Sequence, residues 1–284
     1  MCVPGCREAV ERNLSRRAFL GAACAAAPAV VSSCAVTRGA ESAPAEAHEP
    51  PRFPAFTRVV DLTHTYSSRF PHFNGKPSRV DLQTVLSTER GDGWNMTLWT
   101  LDEHAGTHVD APYHRNAKGV TVEKIPARDL VLRLCVLDIR EPARRDRDYR
   151  ATVEDLKAWE SRHGRLPPRA CVALWSGWDA KVPTPEFFGI DDKGVRHFPG
   201  FHAETVELLL KERDVVALAA DTASFDHGPT TDFPAHTLWL GADRWALENA
   251  ANLGEVPPRG ATIVCGAPRI EGATGGPSRV FALV

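Results

Sequence analysis

The sequence predicts a mixed α/β domain over residues 57–284, and three observations predict it. Leu130 to Ile139, Ala170 to Trp175 and Val215 to Ala220 are almost unbroken apolar runs, as in strands covered on both faces. Helical patterns separate them: Thr152 caps a helix carrying Val153, Leu156 and Trp159 that stops near Gly164, and Ala203 to Lys211 forms another. The chain also holds 22 prolines and 21 glycines, which predict many turns and a loop-rich site. Taken in order, Arg58 to Leu62 is a short strand. Val80, Leu82 and Leu86 give period-two alternation in the next. Trp94 to Leu101 is a third strand, running into a histidine-rich stretch. Toward the end, Asp243 is expected to cap a helix through Asn249 that carries Glu248, and Thr262 to Cys265 and Arg279 to Val284 close the domain as strands. No internal repeat is visible. The net charge of −2 supplies no basic field, which excludes a nucleic-acid binder of the usual electrostatic kind.

The first part of the chain reads as an export leader. Arg7, Arg12, Arg16 and Arg17 outnumber Glu8 and Glu11, and Ser15-Arg16-Arg17-Ala18-Phe19-Leu20 matches the twin-arginine consensus. The Ala-rich run to Val36 is interrupted by Pro28 and barely long enough to span a bilayer, so residues 1–36 are expected to be a signal peptide. Residues 37–56 follow as a Pro/Ala/Glu linker without periodicity. Val31-Ser32-Ser33-Cys34 resembles a lipobox, which would place a lipid on Cys34; Ala43-Pro44-Ala45 or Ala45-Glu46-Ala47 offers an ordinary cleavage site instead. The expected location is periplasmic or otherwise extracytoplasmic, with membrane contact only through that lipid. Four of the seven cysteines lie in the leader. The other three, Cys135, Cys171 and Cys265, sit inside apolar runs as small buried hydrophobes, not as a disulfide framework.

The chemistry concentrates in Glu103 to His114. This stretch places His104, His108, Asp110 and His114 close together. His108 and Asp110 are two apart, so both point to one side of an extended segment. Gly106 and Pro112 argue against a regular helix, and His104 would reach the same side through a turn. Imidazole nitrogens beside a carboxylate suit Zn²⁺, Mn²⁺ or Fe²⁺. His236 and Glu248, in the C-terminal third, are further polar candidates. Asp226-His227 either lines the pocket or forms a surface turn, and Ser176 between Trp175 and Trp178 reads equally well as a strand-end turn. No G-x-S-x-G nucleophile motif is present.

His104-Ala105-Gly106-Thr107-His108-Val109-Asp110-Ala111-Pro112-Tyr113-His114 resembles, throughout, the H-x-G-T-H-x-D-x-P-x-H signature of the metal-dependent cyclase family, which includes bacterial kynurenine formamidases and isatin hydrolases. Asp61-Leu62-Thr63-His64 is similar to that family's first strand, and Phe70-Pro71-His72-Phe73-Asn74-Gly75 to its aromatic substrate loop. Pro234-Ala235-His236 and Leu247-Glu248-Asn249 are similar to its second metal-binding segment, while Gly272 to Pro277 is closer to the isatin hydrolase branch. The resemblance implies a swivelling β/β/α-type fold, compact and with a mixed sheet, usually dimeric or larger. It implies one metal held by His104, His108 and Asp110. Where a second is bound, Asp110 bridges to it and His236 and Glu248 complete its shell. Zn²⁺ or Mn²⁺, one or two per chain, is therefore expected, with His114 as proton donor and acceptor. Phe73, Phe70, His64 and Trp94 are the expected substrate-binding residues. Phe73 stands where formamidases carry a tryptophan, which keeps an aromatic wall but loses the indole N–H.

The expected activity is metal-dependent hydrolysis of a small aryl or cyclic amide, such as isatin or a formanilide, since a divalent metal polarises a carbonyl and acidifies water. A lyase or cyclase using the same metal to stabilise an enolate, and an exported metal- or solute-binding protein, are the alternatives. His114 separates the last of these from the enzymes, because storage needs no free base.

Overall fold

The computed structural model describes residues 56–284 except 72, 74–77 and 183. The expected leader, linker and Cys34, together with His72, Asn74 and Gly75 of the aromatic loop, lie outside the described residues. The chain begins with β1 (Val59–Asp61), the hairpin β2 (Val80–Leu86) and β3 (Met96–Leu101), and β4 (His108–Asp110). The middle alternates β5 (Val131–Asp138), α1 (Arg140–Arg145), β6 (Arg150–Ala151), α2 (Val153–His163), β7 (Ala170–Trp175), β8 (Gly200–Phe201), α3 (Ala203–Glu212) and β9 (Val215–Ala220). The last third contains α4 (Pro234–Gly241), β10 (Trp245–Glu248), β11 (Arg259–Gly266), β12 (Gly275–Pro277) and β13 (Arg279–Leu283).

Nine strands form one mixed sheet in the order β1-β13-β11-β5-β7-β9-β10-β4-β12. Its centre, β5-β7-β9-β10, is parallel; the flanking pairs are antiparallel. The parallel strands are the apolar runs, because helical crossovers bury both of their faces. Residue alternation shows it. Leu132, Leu134 and Val136 of β5 join one core, Cys135 and Leu137 the other. The second core packs under Leu156 and Trp159 of α2, Leu209 of α3 and Trp239 of α4. The first is shared by strands from opposite ends of the sheet order, including Val60 of β1, Ile263 of β11 and Leu247 of β10. The sheet curls enough for Thr63, just beyond β1, to bridge Ala250, just beyond β10. The α/β fold with one mixed sheet is thus as expected, and the helix over 153–163 carries a full capping box between Thr152 and Asp155. Cys135, Cys171 and Cys265 are buried free thiols. Among the described residues no helix is long and apolar enough to cross a membrane.

Two elements differ from expectation. Glu248 lies on a strand, not on a helix capped by Asp243. Trp245 to Glu248 is buried at every position and pairs on both sides, parallel to β9 and antiparallel to β4. Asp243 and Asn249 adopt left-handed backbone angles, φ 56° and 57°, so the run is a four-residue strand between two turns. Conversely, Pro234 opens a helix that periodicity did not reveal. Proline at the first helical position costs no hydrogen bond there, and this helix carries His236.

Candidate metal centre and substrate cavity

The curled sheet brings the sequence-distant ligand candidates together. On β4, His108 and Asp110 face inward from a three-residue strand paired with β10 on one side and β12 on the other. The register sets Glu248 directly opposite His108. His236 arrives from the first turn of α4. All four side chains are buried.

Within this quartet, the carboxylate and imidazole tips meet without pairing off. His108 Nε2 lies 3.3 Å from Asp110 Oδ1 and 3.4 Å from Glu248 Oε2. His236 Nε2 lies 3.4 Å from Asp110 Oδ2 and 3.2 Å from Glu248 Oε1. Yet His108 Nε2 and Asp110 Oδ2 have no aligned hydrogen-bond partner, although both are buried. Such orphaned polar atoms are costly unless something else occupies the point they share. The far side of each ring explains the aim. His108 Nδ1 is 2.9 Å from the Gly106 carbonyl, which also accepts from Asn249 Nδ2 at 2.8 Å. His236 Nδ1 is 2.7 Å from Asp226 Oδ2. In both rings the Nδ1–H is thereby the donor, and the Nε2 lone pair turns into the cluster, the arrangement of a metal-ligating histidine.

Electrostatics agrees. Burial pushes Glu248 up, with the nearby Asp110 charge adding to it. Although burial works against their charged forms, the carboxylates hold His108 up at about 9 and His236 well above its ordinary value. Asp110, despite burial, is held well below the usual carboxylate range by His104, His108 and His236. Two buried carboxylates thus favour two positive charges beside them, which a single divalent cation would supply while leaving both Nε2 lone pairs to bind it. The donor set, its orphaned atoms and its charge all fit such an ion.

Asp110 also belongs to a second group with His104 and His114, whose candidate ligand atoms lie within 4.8 Å of one another. His104 Nδ1 is 2.6 Å from Asp110 Oδ1, and its Nε2 is 2.7 Å from Thr274 Oγ1. The resemblance implies one set of His104, His108 and Asp110 and a second of Asp110, His236 and Glu248. In space Asp110 lies between two groups, with His108 beside Glu248 and His236, and His104 beside His114. The two rings of that second pair lie 3.8 Å apart, centre to centre, tilted by 33°.

A cavity of about 290 Å³ opens onto this centre. His104, His114, His236 and Glu248 contribute to its wall, and Phe73, Phe233 and Arg115 supply an aromatic and cationic part. Phe73 is held from outside by Arg196, whose guanidinium lies 4.1 Å over the ring and whose Nε donates to the Phe73 carbonyl at 2.8 Å. Three expected substrate residues are not in the wall. Trp94 is 67% exposed beyond the turn of the β2–β3 hairpin. Phe70 is buried edge-on against Phe187, and its apolar ring serves packing there. His64 is part-buried beside Phe70, its backbone N–H donating to Thr107 Oγ1.

Sequence reasoning assigned no role to four supporting residues. Asp226, left open between pocket and surface turn, is buried and holds His236 through its ring and its backbone N–H. Phe225 stacks on that ring at 3.8 Å and 15°. Thr274 binds His104, and Asn249 fixes the Gly106 carbonyl. The only signal for Asp226 was a carboxylate just past a buried strand. Ser176, by contrast, is a structural turn residue: its hydroxyl donates to Asp221 at 2.6 Å.

Comparison with known proteins gives the same picture. Residues 60–227 match the model of the cyclase family, described as "Putative cyclase". A curated isatin hydrolase of Roseibium aggregatum is 29% identical over 226 residues, 75% of this chain and 84% of the relative. Isatin hydrolase A from Ralstonia solanacearum superposes with a TM-score of 0.75 at 36% identity, covering 80% of this chain and 92% of that one. An isatin hydrolase bound to the product analogue thioisatinate gives 0.74 at 27% identity over 80% and 92%. With the signature residues gathered around one centre and this breadth of similarity, the chain belongs to the cyclase family.

Proposed function

We propose that this metal-dependent amidohydrolase opens an aryl or cyclic amide of the isatin or formanilide class. The observation that carries the reading is one cavity joining the candidate divalent-ion centre, His114 and aromatic walls sized for a small planar substrate. The similarity to isatin hydrolases favours the cyclic member of that class. His108, Asp110, Glu248 and His236 would hold one ion, Zn²⁺ or Mn²⁺, with His104 and Asp110 available to a second. Such an ion supplies Lewis acidity at the amide carbonyl and acidifies water.

The remaining work belongs to the chain. Burial first, and then the neighbouring imidazoles, push His114 down to about 4 against the pull of Asp110. That favours its neutral form, and among the described residues neither ring nitrogen has a hydrogen-bond partner, so an imidazole nitrogen would be free to take a proton from water. The same nitrogen returns it to the departing amide nitrogen. Phe73 and Phe233 hold the ring of the substrate and keep bulk water out. The test is turnover of isatin, N-formylkynurenine and a simple lactone, alongside metal content by mass spectrometry. Ring opening of isatin by protein carrying one or two ions is expected. Metal-loaded protein that turns over none of the three, or metal-free protein that turns them over undiminished, overturns the reading.

A second copy of the chain is the proposed partner, and the β2–β3 hairpin supports it. Leu82, Val85, Trp94, Met96, Leu98 and Trp99 are 45–67% exposed there. We also propose that the leader exports the folded protein by the twin-arginine route, with a lipid on Cys34 as its only membrane contact.

A further inference from the structure

The cavity carries a cation, Arg115, that has no carboxylate partner among the described residues. Arg115 follows the last signature histidine and lines the same cavity as His114, Phe73 and Glu248. Its Nε donates to Thr237 Oγ1 at 3.2 Å, its Nη2 donates to the Asp232 carbonyl at 3.0 Å, and its guanidinium carbon is 5.9 Å from the centre of the Phe233 ring. Both acceptors are neutral. Among the described residues no carboxylate lies within ion-pair distance of Arg115, whereas Arg140 meets Asp138, Arg213 meets Glu160 and Arg279 meets Asp61. One edge of the guanidinium is therefore tied down and the other remains available.

We propose that Arg115 is a specificity-determining residue that selects amides bearing a carboxylate over neutral amides of the same size. The substrate class is an aryl amide with an anionic substituent on the ring. A guanidinium matches a carboxylate in plane and spacing, and two bonds already fix its orientation, so little side-chain freedom remains to be lost on binding. Its position at an open mouth lets salt screen it, which makes the preference fall as ionic strength rises. This deepens the amidohydrolase reading and rests on it for the kinetic half of the test.

The kinetic half compares formanilide with N-formylanthranilate, two formanilides that differ by one ring carboxylate, on metal-loaded protein. Replacing the guanidinium by a neutral amide, Arg115→Gln, is expected to lower kcat/KM for N-formylanthranilate about 10- to 100-fold, mainly through KM. Formanilide turnover falls by much less, so the ratio of the two kcat/KM values carries the result. Arg115→Lys keeps part of the preference, and in the unaltered protein added salt erodes it. Equal losses on both substrates would reduce Arg115 to a tie for the segment before α4, and no loss on either would remove it from recognition; both overturn the proposal. The binding half needs no turnover: calorimetry of anthranilate against aniline. If neither amide is hydrolysed yet Arg115→Gln still abolishes the preference for anthranilate, the hydrolase reading fails and the anion site stands. Equal binding of the two ligands by the unaltered protein overturns the site itself.

Discussion

At the scale of single residues, His114 is the group proposed to move a proton. No carboxylate is hydrogen-bonded to it among the described residues, so desolvation lowers it to about 4. His114→Ala should retain the metal and the fold while losing about 10²–10⁴-fold in kcat. Metal analysis and steady-state rates on the same preparation check both halves, and loss of metal with activity would make His114 a ligand. Asp226 acts at one remove. It takes the His236 Nδ1–H and two backbone N–H groups, from Ala235 and His236, which fixes both the tautomer and the helix start. Asp226→Asn turns an amide N–H toward one of those donors, and metal affinity measured by calorimetry should fall roughly 10- to 100-fold. The ligand candidates were legible in the sequence because His104, His108 and Asp110 are packed into one stretch. Asp226 and Thr274 were not, because a residue that orients a ligand needs only to be near it in space, and Thr274 lies 170 positions from the ring it binds.

Among the elements, the parallel strands were readable from composition alone, since burial on both faces leaves an apolar run with no ambiguity of period. Trp245 to Glu248 defeated the same logic by being short. Four residues show no period, and the turn residues at Asp243 and Asn249 that mark it as a strand resemble helix caps in sequence. The β2–β3 hairpin presents the opposite case, a correctly predicted element with an unpredicted surface. It forms its own two-stranded sheet, and Leu82 pairs with Trp99 across it while Leu98 stands opposite Gln83. Alternation therefore places apolar groups on both faces. A lone hairpin is marginal in water, so these faces need covering. The six exposed side chains offer on the order of 700 Å² per chain, close to one partner's share of a standard interface. Light scattering should show a dimer or larger assembly, and Leu98→Asp with Trp99→Asp should shift it to monomer; an unchanged mass would show that the hairpin is not the contact.

For the molecule as a whole, stability carries a pH signature that does not come from the metal centre. Asp221 ends β9 fully buried. Burial, helped by the Asp179 charge and opposed by the Ser176 and Trp178 donors, pushes it up to about 7. A carboxyl raised above its unfolded value favours the protonated fold, so its contribution is complete below about pH 4 and is lost as pH rises through about 7, up to about 4 kcal/mol. Thermal unfolding followed from pH 5 to 8 should show the advantage of the native chain over Asp221→Asn shrinking as pH rises; a constant difference would place the shift elsewhere. Export is testable at the same scale: Arg16→Lys with Arg17→Lys should leave folded protein in the cytoplasm, and normal export of that variant would overturn the leader. The curled sheet has one more implication, and it concerns time. β1 is partnered by β13, more than two hundred residues later, and β4 lies between β10 and β12. The ligands of the centre therefore remain strangers for most of synthesis, and His108 meets Glu248 only when the last strands emerge. Pairings of such long range make for slow folding. An ion that arrives early finds only a peptide with histidines, so loading is a test that the chain passes once its final strand has closed.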